Sequence, residues 1–222
     1  MSIRQTRPGL AHIAALALVC TLLLGRAAAP PHATAQGADD AFVDRVLASM
    51  TPDERVGQLV MVNFVGDDVS ATSDIAVLLR DYKVGSVLVT ASNGNVVNRD
   101  DTAGQLATLA NGLQQRAYEA THRSDGSGGE YFLPVLIATD NEGDLFPFTN
   151  VTHGYTALPN NMTIGATWSK KHAEAAGAIV GKELSAAGIN MLLGPVVDVL
   201  GNPRSGGNGD IGIRSFGGDA TW

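Results

Sequence analysis

Four short runs of aliphatic residues limit what this chain can fold into. They are Leu59-Val60-Met61-Val62-Asn63-Phe64, Val84-Gly85-Ser86-Val87-Leu88-Val89, Val135-Leu136-Ile137-Ala138-Thr139 after Pro134, and Ile189-Asn190-Met191-Leu192-Leu193. Runs this short, rich in Val, Ile and Leu, predict strands buried within a sheet rather than strands with one wet face. Helical patterns lie between them. Thr72 to Tyr82 gathers Ile75, Leu78, Leu79 and Tyr82 on one face, and Asp101 to Thr121 does the same with Leu106, Leu109, Leu113 and Ala117. A third helix is capped by Ser169, runs to about Ala187 and stops at Gly188. Upstream, Asp39 to Met50 places Phe42, Val43, Val46, Leu47 and Met50 at helical spacing, and Thr51-Pro52-Asp53-Glu54 has the composition of a capping box. Strands alternating with helices predict an α/β fold with a parallel sheet covered by helices, either an open doubly wound sheet or an eight-stranded barrel. A barrel takes about 250 residues for eight strands. Four strands therefore predict a small open sheet or about half a barrel.

The connections are less regular. Ser124 to Gly129 is a Gly/Ser loop, Asn141 to Thr167 is broken by Gly and Pro, Pro195 to Val199 extends the fourth strand, and no helix is predicted after Gly201. Residues 1–35 read as a secretory leader. Arg4 and Arg7 precede an apolar run from Leu10 to Gly25, and small residues follow at Ala27-Ala28-Ala29 and at Ala33-Thr34-Ala35. The apolar run is shorter than the ~20 residues a spanning helix needs. The expectation is an exported protein with a mature domain from residue 36, free of the membrane once the leader is removed.

Composition excludes several function classes. A net charge of -7 over 222 residues lacks the clustered Lys and Arg that phosphate binding needs, so nucleic acid is not an expected partner. A single Cys, inside the apolar run, allows neither a disulfide framework nor a thiolate metal site. His122, His153 and His172 show no ligand spacing, so neither metal nor cofactor is expected. Gly207 to Gly212 satisfies G-x-G-x-x-G, but Ile213-Arg214-Ser215-Phe216-Gly217-Gly218 follows where a helix would have to begin, so it predicts a loop. Asn150-Val151-Thr152 and Asn161-Met162-Thr163 match the glycosylation sequon.

The informative stretch is Leu133-Pro134-Val135-Leu136-Ile137-Ala138-Thr139-Asp140-Asn141-Glu142-Gly143, an apolar strand ending in two carboxylates. Strand C-terminal ends carry the ligand sites of parallel α/β folds, and a carboxylate there accepts hydrogen bonds from sugar hydroxyls. Asp140 is equally compatible with capping the next turn, and Glu142 with a structural role. Asp198, before Gly201-Asn202-Pro203, has the setting of a turn former. Arg214 stands in an otherwise uncharged Gly-rich loop, where a guanidinium can fork to a substrate hydroxyl or to a neighbouring carboxylate.

The succession LPVLIATDNEG, LPNNMTIGAT, KELSAAGINMLLGPVVDVLGNP and IGIRSFGGD resembles the N-terminal domain of glycoside hydrolase family 3. Met50 to Leu59 is similar to that family's opening helix, and Val84 to Leu88 to its next strand. The resemblance runs in order from about residue 40 to the C-terminus. It implies the N-terminal part of a (β/α)8 barrel, about four of eight strand–helix units, in a retaining β-glucosidase or β-N-acetylhexosaminidase acting on a β-linked glycoside. By the same resemblance Asp140 and Arg214 hold the sugar in the subsite of the cleaved residue, and Asp198 is mainly architectural. Asp144 departs from the family, which usually has a second glycine there, and with Phe146-Pro147-Phe148 it implies a distinct loop.

The family's Lys-His-Phe-Pro-Gly-His-Gly-like motif, nucleophilic aspartate and acid/base are not among these residues, so no catalytic residue is assigned. The expectation is a domain cut short before its chemistry, inactive alone, and poorly soluble or dimeric through open sheet edges. The other reading is a non-catalytic sugar-binding or vestigial half-barrel.

Overall fold

The capping box forms as its composition predicts. In this computed structural model, which describes residues 32–121, 131–143, 148–200 and 211–219, the Thr51 hydroxyl accepts from the Glu54 N–H at 3.2 Å. The Glu54 carboxylate in turn accepts from the Thr51 N–H at 2.8 Å, which satisfies two amides that helix geometry leaves without partners. The chain divides into compact units of residues 1–45 and 46–222. In the first, the Arg45 guanidinium lies 5.8 Å from the centroid of the Phe42 ring. Helix α1 covers His32–Ser49, longer than the segment predicted from Asp39, and α2 covers Pro52–Gly57. The secretory leader, most of which falls in residues 1–31, lies outside the described residues.

Strands β1 (Met61–Asn63), β2 (Ser86–Leu88), β3 (Leu136–Thr139) and β4 (Met191–Leu192) occupy the four predicted runs, each shortened at its ends. They form one parallel sheet in the order β1-β2-β3-β4, in register Val62↔Val87, Val87↔Ile137 and Ala138↔Met191. A doubly wound sheet reverses its strand order at a switch point. This sheet never does, and steady progression is the arrangement of consecutive units of a (β/α)8 barrel. Parallel pairing also brings all four C-terminal ends to one face.

Helices α3 (Asp74–Asp81), α4 (Thr102–Thr121) and α6 (Lys170–Ala186) carry the chain between strands, and α5 (Asn161–Gly165) is a short turn within the connection after β3. The predicted faces are the buried ones: Ile75 and Leu79 of α3 and Leu106, Leu109, Leu113 and Ala117 of α4 join Val87, Val89, Val135 and Ile137 in one core. Two side chains prolong the ladder where β3 begins. Gln114 exchanges hydrogen bonds with the Val135 backbone at 2.8 and 3.1 Å, and the Asn190 amide oxygen accepts from the Ile137 N–H at 2.7 Å. Gly188 follows the end of α6 at φ +87°, and a Cβ there would lie 2.5 Å from that of Ala110. Only glycine joins that left-handed turn to so close an approach.

Three expectations need correcting. Ser169 occupies the N-cap of α6 without a side-chain capping bond. Pro195 to Val199 does not continue β4: Pro195 has no N–H to donate, and β4 is the last strand of the described sheet. A single 3₁₀ turn, Gly212–Arg214, follows Gly201 where no helix was predicted. The Ser124–Gly129 loop, Asp144, Phe146-Pro147 and all of the G-x-G-x-x-G stretch except Gly212 lie outside the described residues.

Candidate functional site

Strand β3 delivers its terminal residues to the sheet face where the other strands also end. The Thr139 hydroxyl donates to the Val89 carbonyl at 2.9 Å and the Thr139 carbonyl accepts from the Leu193 N–H at 3.0 Å, so the last β3 residue is fixed to both neighbours. Asp140 comes next. Its carbonyl accepts from the Asn150 N–H at 3.1 Å and from the Asn150 side-chain amide at 3.2 Å. Asn150 in turn accepts from the Ala91 N–H at 2.9 Å, so the loop after β2 supports Asp140 from behind. Among the described residues nothing donates to the Asp140 carboxylate, which is left open.

The neighbouring carboxylate has the opposite setting. Glu142 is enclosed by a tight reversal in which its N–H donates to the Phe148 carbonyl at 3.0 Å and to the Thr149 hydroxyl at 3.1 Å. Its side chain is 1% exposed and pairs with Arg214, whose side chain is 22% exposed. The pair is bidentate, with Arg214 Nε to one oxygen at 3.0 Å and Nη2 to the other at 2.7 Å. The Phe148 ring stacks against the same guanidinium, 3.8 Å from its Cζ to the ring centroid.

Arg214 arrives from 72 residues away because its loop is docked on α5. The Asn161 amide donates to the Arg214 carbonyl at 2.8 Å, and a Cβ on Gly165 would collide with the Phe216 carbonyl. Buried Ser215 donates to the Asp198 carbonyl at 3.0 Å. Asp198 thus serves the site through its backbone, while residue 198 itself is exposed. The sequons are engaged too: Asn150 and Asn161 are 5% exposed each, and both amides are spent on the site. Their burial gives these two sequons a structural role.

The electrostatics follow from this arrangement. Burial first, and then the negative charge of Glu142, push the Asp140 carboxyl above its ordinary range, with the positive charge of Arg214 acting in the opposite direction. The Glu142 hydrogen bonds raise Arg214 still further. Asp140 and Arg214, both picked out by sequence, therefore share one site. The partner of Arg214 is Glu142 rather than an aspartate, and Phe148, Asn150 and Asn161 were not anticipated as parts of the site. A lone cation in an uncharged loop was the signal that a buried carboxylate awaited it; which one is a matter of tertiary structure.

A single carboxylate open at a strand end beside a tethered guanidinium suits the recognition of a polyol. The sequence profile described as the glycosyl hydrolase family 3 N terminal domain matches residues 51–222. The chain belongs to glycoside hydrolase family 3. Among curated family members it is 30% identical over 184 residues to beta-hexosaminidase A of Pseudoalteromonas piscicida, covering 75% of this chain and 28% of that protein. It is 31% identical over 184 residues to a beta-N-acetylglucosaminidase/beta-glucosidase of Cellulomonas fimi, covering 82% and 26%. Among solved structures, the family 3 beta-N-acetylglucosaminidase from Paenibacillus sp. str. FPU-7 superimposes with a TM-score of 0.64 at 36% identity, over 78% of this chain and 28% of that one. The chain thus spans about a quarter of the length of these relatives.

Proposed function

We propose that the chain supplies the sugar-gripping part of the subsite for the cleaved residue in an exported, retaining β-glycosidase acting on β-N-acetylglucosaminides or β-glucosides. The observation that carries the reading is the open Asp140 carboxylate at the end of β3, beside an Arg214 guanidinium fixed by Glu142. The ionised Asp140 accepts from sugar O–H groups. Arg214 donates to a hydroxyl oxygen from the N–H groups that Glu142 does not use. The matches to a hexosaminidase and to a dual-specificity relative support this substrate range.

Retaining hydrolysis needs a carboxylate nucleophile and a separate acid/base about 5 Å apart across the scissile bond. Glu142 is committed to Arg214 and Asp140 to hydroxyls, so in this reading both catalytic groups are supplied by sequence after Trp222. The 222 residues alone bind without hydrolysing. Sequencing the gene beyond codon 222 and assaying its whole product on 4-nitrophenyl β-N-acetylglucosaminide and β-glucoside tests this. Turnover that drops about 100-fold or more with Asp140→Ala supports it, the scale expected for losing charge-assisted hydrogen bonds. Hydrolysis by the 222-residue chain, or full turnover with Asp140→Ala, contradicts it.

A further inference from the structure

Two carboxylates and one guanidinium meet at this site, and the way they pair is not the one that charge alone favours. An arginine between Asp140 and Glu142 is attracted to both. Instead its Nε and Nη2 both go to Glu142, at 3.0 and 2.7 Å, and no described residue donates to the Asp140 carboxylate. We infer that Glu142 is the positioning residue of the sugar site: from its buried seat it holds one edge of Arg214, keeping the guanidinium off Asp140 and leaving the Nη1 edge free to donate to a sugar hydroxyl. The inference rests on the reading of Asp140 and Arg214 as sugar ligands.

Donor counting supports it. A guanidinium has five N–H groups in a fixed fork. Glu142 takes the Nε proton and one Nη2 proton, and among the described residues the two on Nη1 and the second on Nη2 are unengaged. The Phe148 ring, 3.8 Å from Cζ, covers one face and restricts the plane of the fork. The buried Glu142 is itself immobilised by its backbone bonds to Phe148 and Thr149. A purely stabilising role explains the arrangement less well. Buried ion pairs seldom outperform apolar packing of the same volume, and this one adds repulsion on Asp140. The repulsion makes sense where an open carboxylate must accept from neutral hydroxyls rather than pair with its own cation.

Two measurements on the 222-residue chain test the inference: carboxyl ¹³C NMR titration of Asp140 without ligand, and affinity for N-acetylglucosamine. The charged groups acting on Asp140 are Glu142 and Arg214. Glu142→Asp retains the buried charge but is one methylene too short to hold both nitrogens. Arg214 then relaxes toward Asp140, the Asp140 midpoint falls, and sugar affinity drops about tenfold or more. A folded Glu142→Asp variant with the wild-type midpoint and affinity overturns the inference. If that variant does not fold, Arg214→Lys keeps the cation without the fork; the midpoint and affinity again fall, and wild-type values again overturn it. A midpoint that falls while even the wild-type chain binds no N-acetylglucosamine or glucose supports the clamp and refutes the sugar reading instead.

Discussion

Replacing Arg214 with methionine leaves a charge with no counterpart. The Glu142 side chain is 1% exposed and that of Arg214 22%, so the carboxylate is buried while its partner retains some water. Removing one member of a fully buried pair costs about 3–5 kcal/mol. The partial exposure of Arg214 argues for the lower part of that range. Loss of the Phe148 stack adds about 0.5–1 kcal/mol, so Arg214→Met should cost about 3 kcal/mol at neutral pH. With a urea slope of about 2 kcal/mol/M, the unfolding midpoint moves down by about 1.5 M. Urea unfolding followed by circular dichroism at several pH values measures this. The deficit should shrink in acid, because a protonated Glu142 has no charge to leave unpaired. Adding Glu142→Gln should recover part of it, as coupled partners do in a double-mutant cycle. A deficit under about 0.5 kcal/mol at pH 7, the scale of an ordinary surface substitution, would refute the reasoning.

Other outcomes follow from single contacts. The Asp140 carboxyl is raised above its ordinary range by burial and by Glu142, so its contribution to stability is fully present below the unfolded-state pKa and lost as pH rises through the folded one. Asp140→Asn should therefore melt above wild type at pH 7, and that advantage should vanish near pH 3; equal melting at both pH values contradicts it. Gly188→Ala combines φ +87° with a contact of 2.5 Å to the Ala110 Cβ. It should lose about 2–4 kcal/mol from left-handed strain plus overlap, with wild-type stability in urea as the contrary result.

How much of this could be seen in the sequence depends on how local each determinant is. The Thr51–Glu54 box, the α4 face through Leu106, Leu109, Leu113 and Ala117, and the stop at Gly188 are set by neighbours within a few residues, and the structure has them. Strand ends were less legible, because β4 keeps only Met191 and Leu192, where partner atoms of β3 are available. Barrel order was not decided by composition, since four buried strands suit either architecture until pairing fixes β1-β2-β3-β4. At the site, Asp140 stood out by its place at a strand end and Arg214 by its uncharged surroundings. Pairing Arg214 with Glu142 brings together residues 72 apart, through an α5–loop contact made by Asn161. Nothing in the local sequence around either residue specifies that.

The most direct test of the sugar-site reading is titration of the 222-residue chain with N-acetylglucosamine and with glucose, wild type against Asp140→Asn, both confirmed folded by circular dichroism. The account predicts saturable binding of at least one sugar by wild type at neutral pH, weakened about tenfold or more in Asp140→Asn, where an ionised acceptor becomes a neutral amide. Equal binding by the two chains, or no binding by a folded wild type, would contradict it.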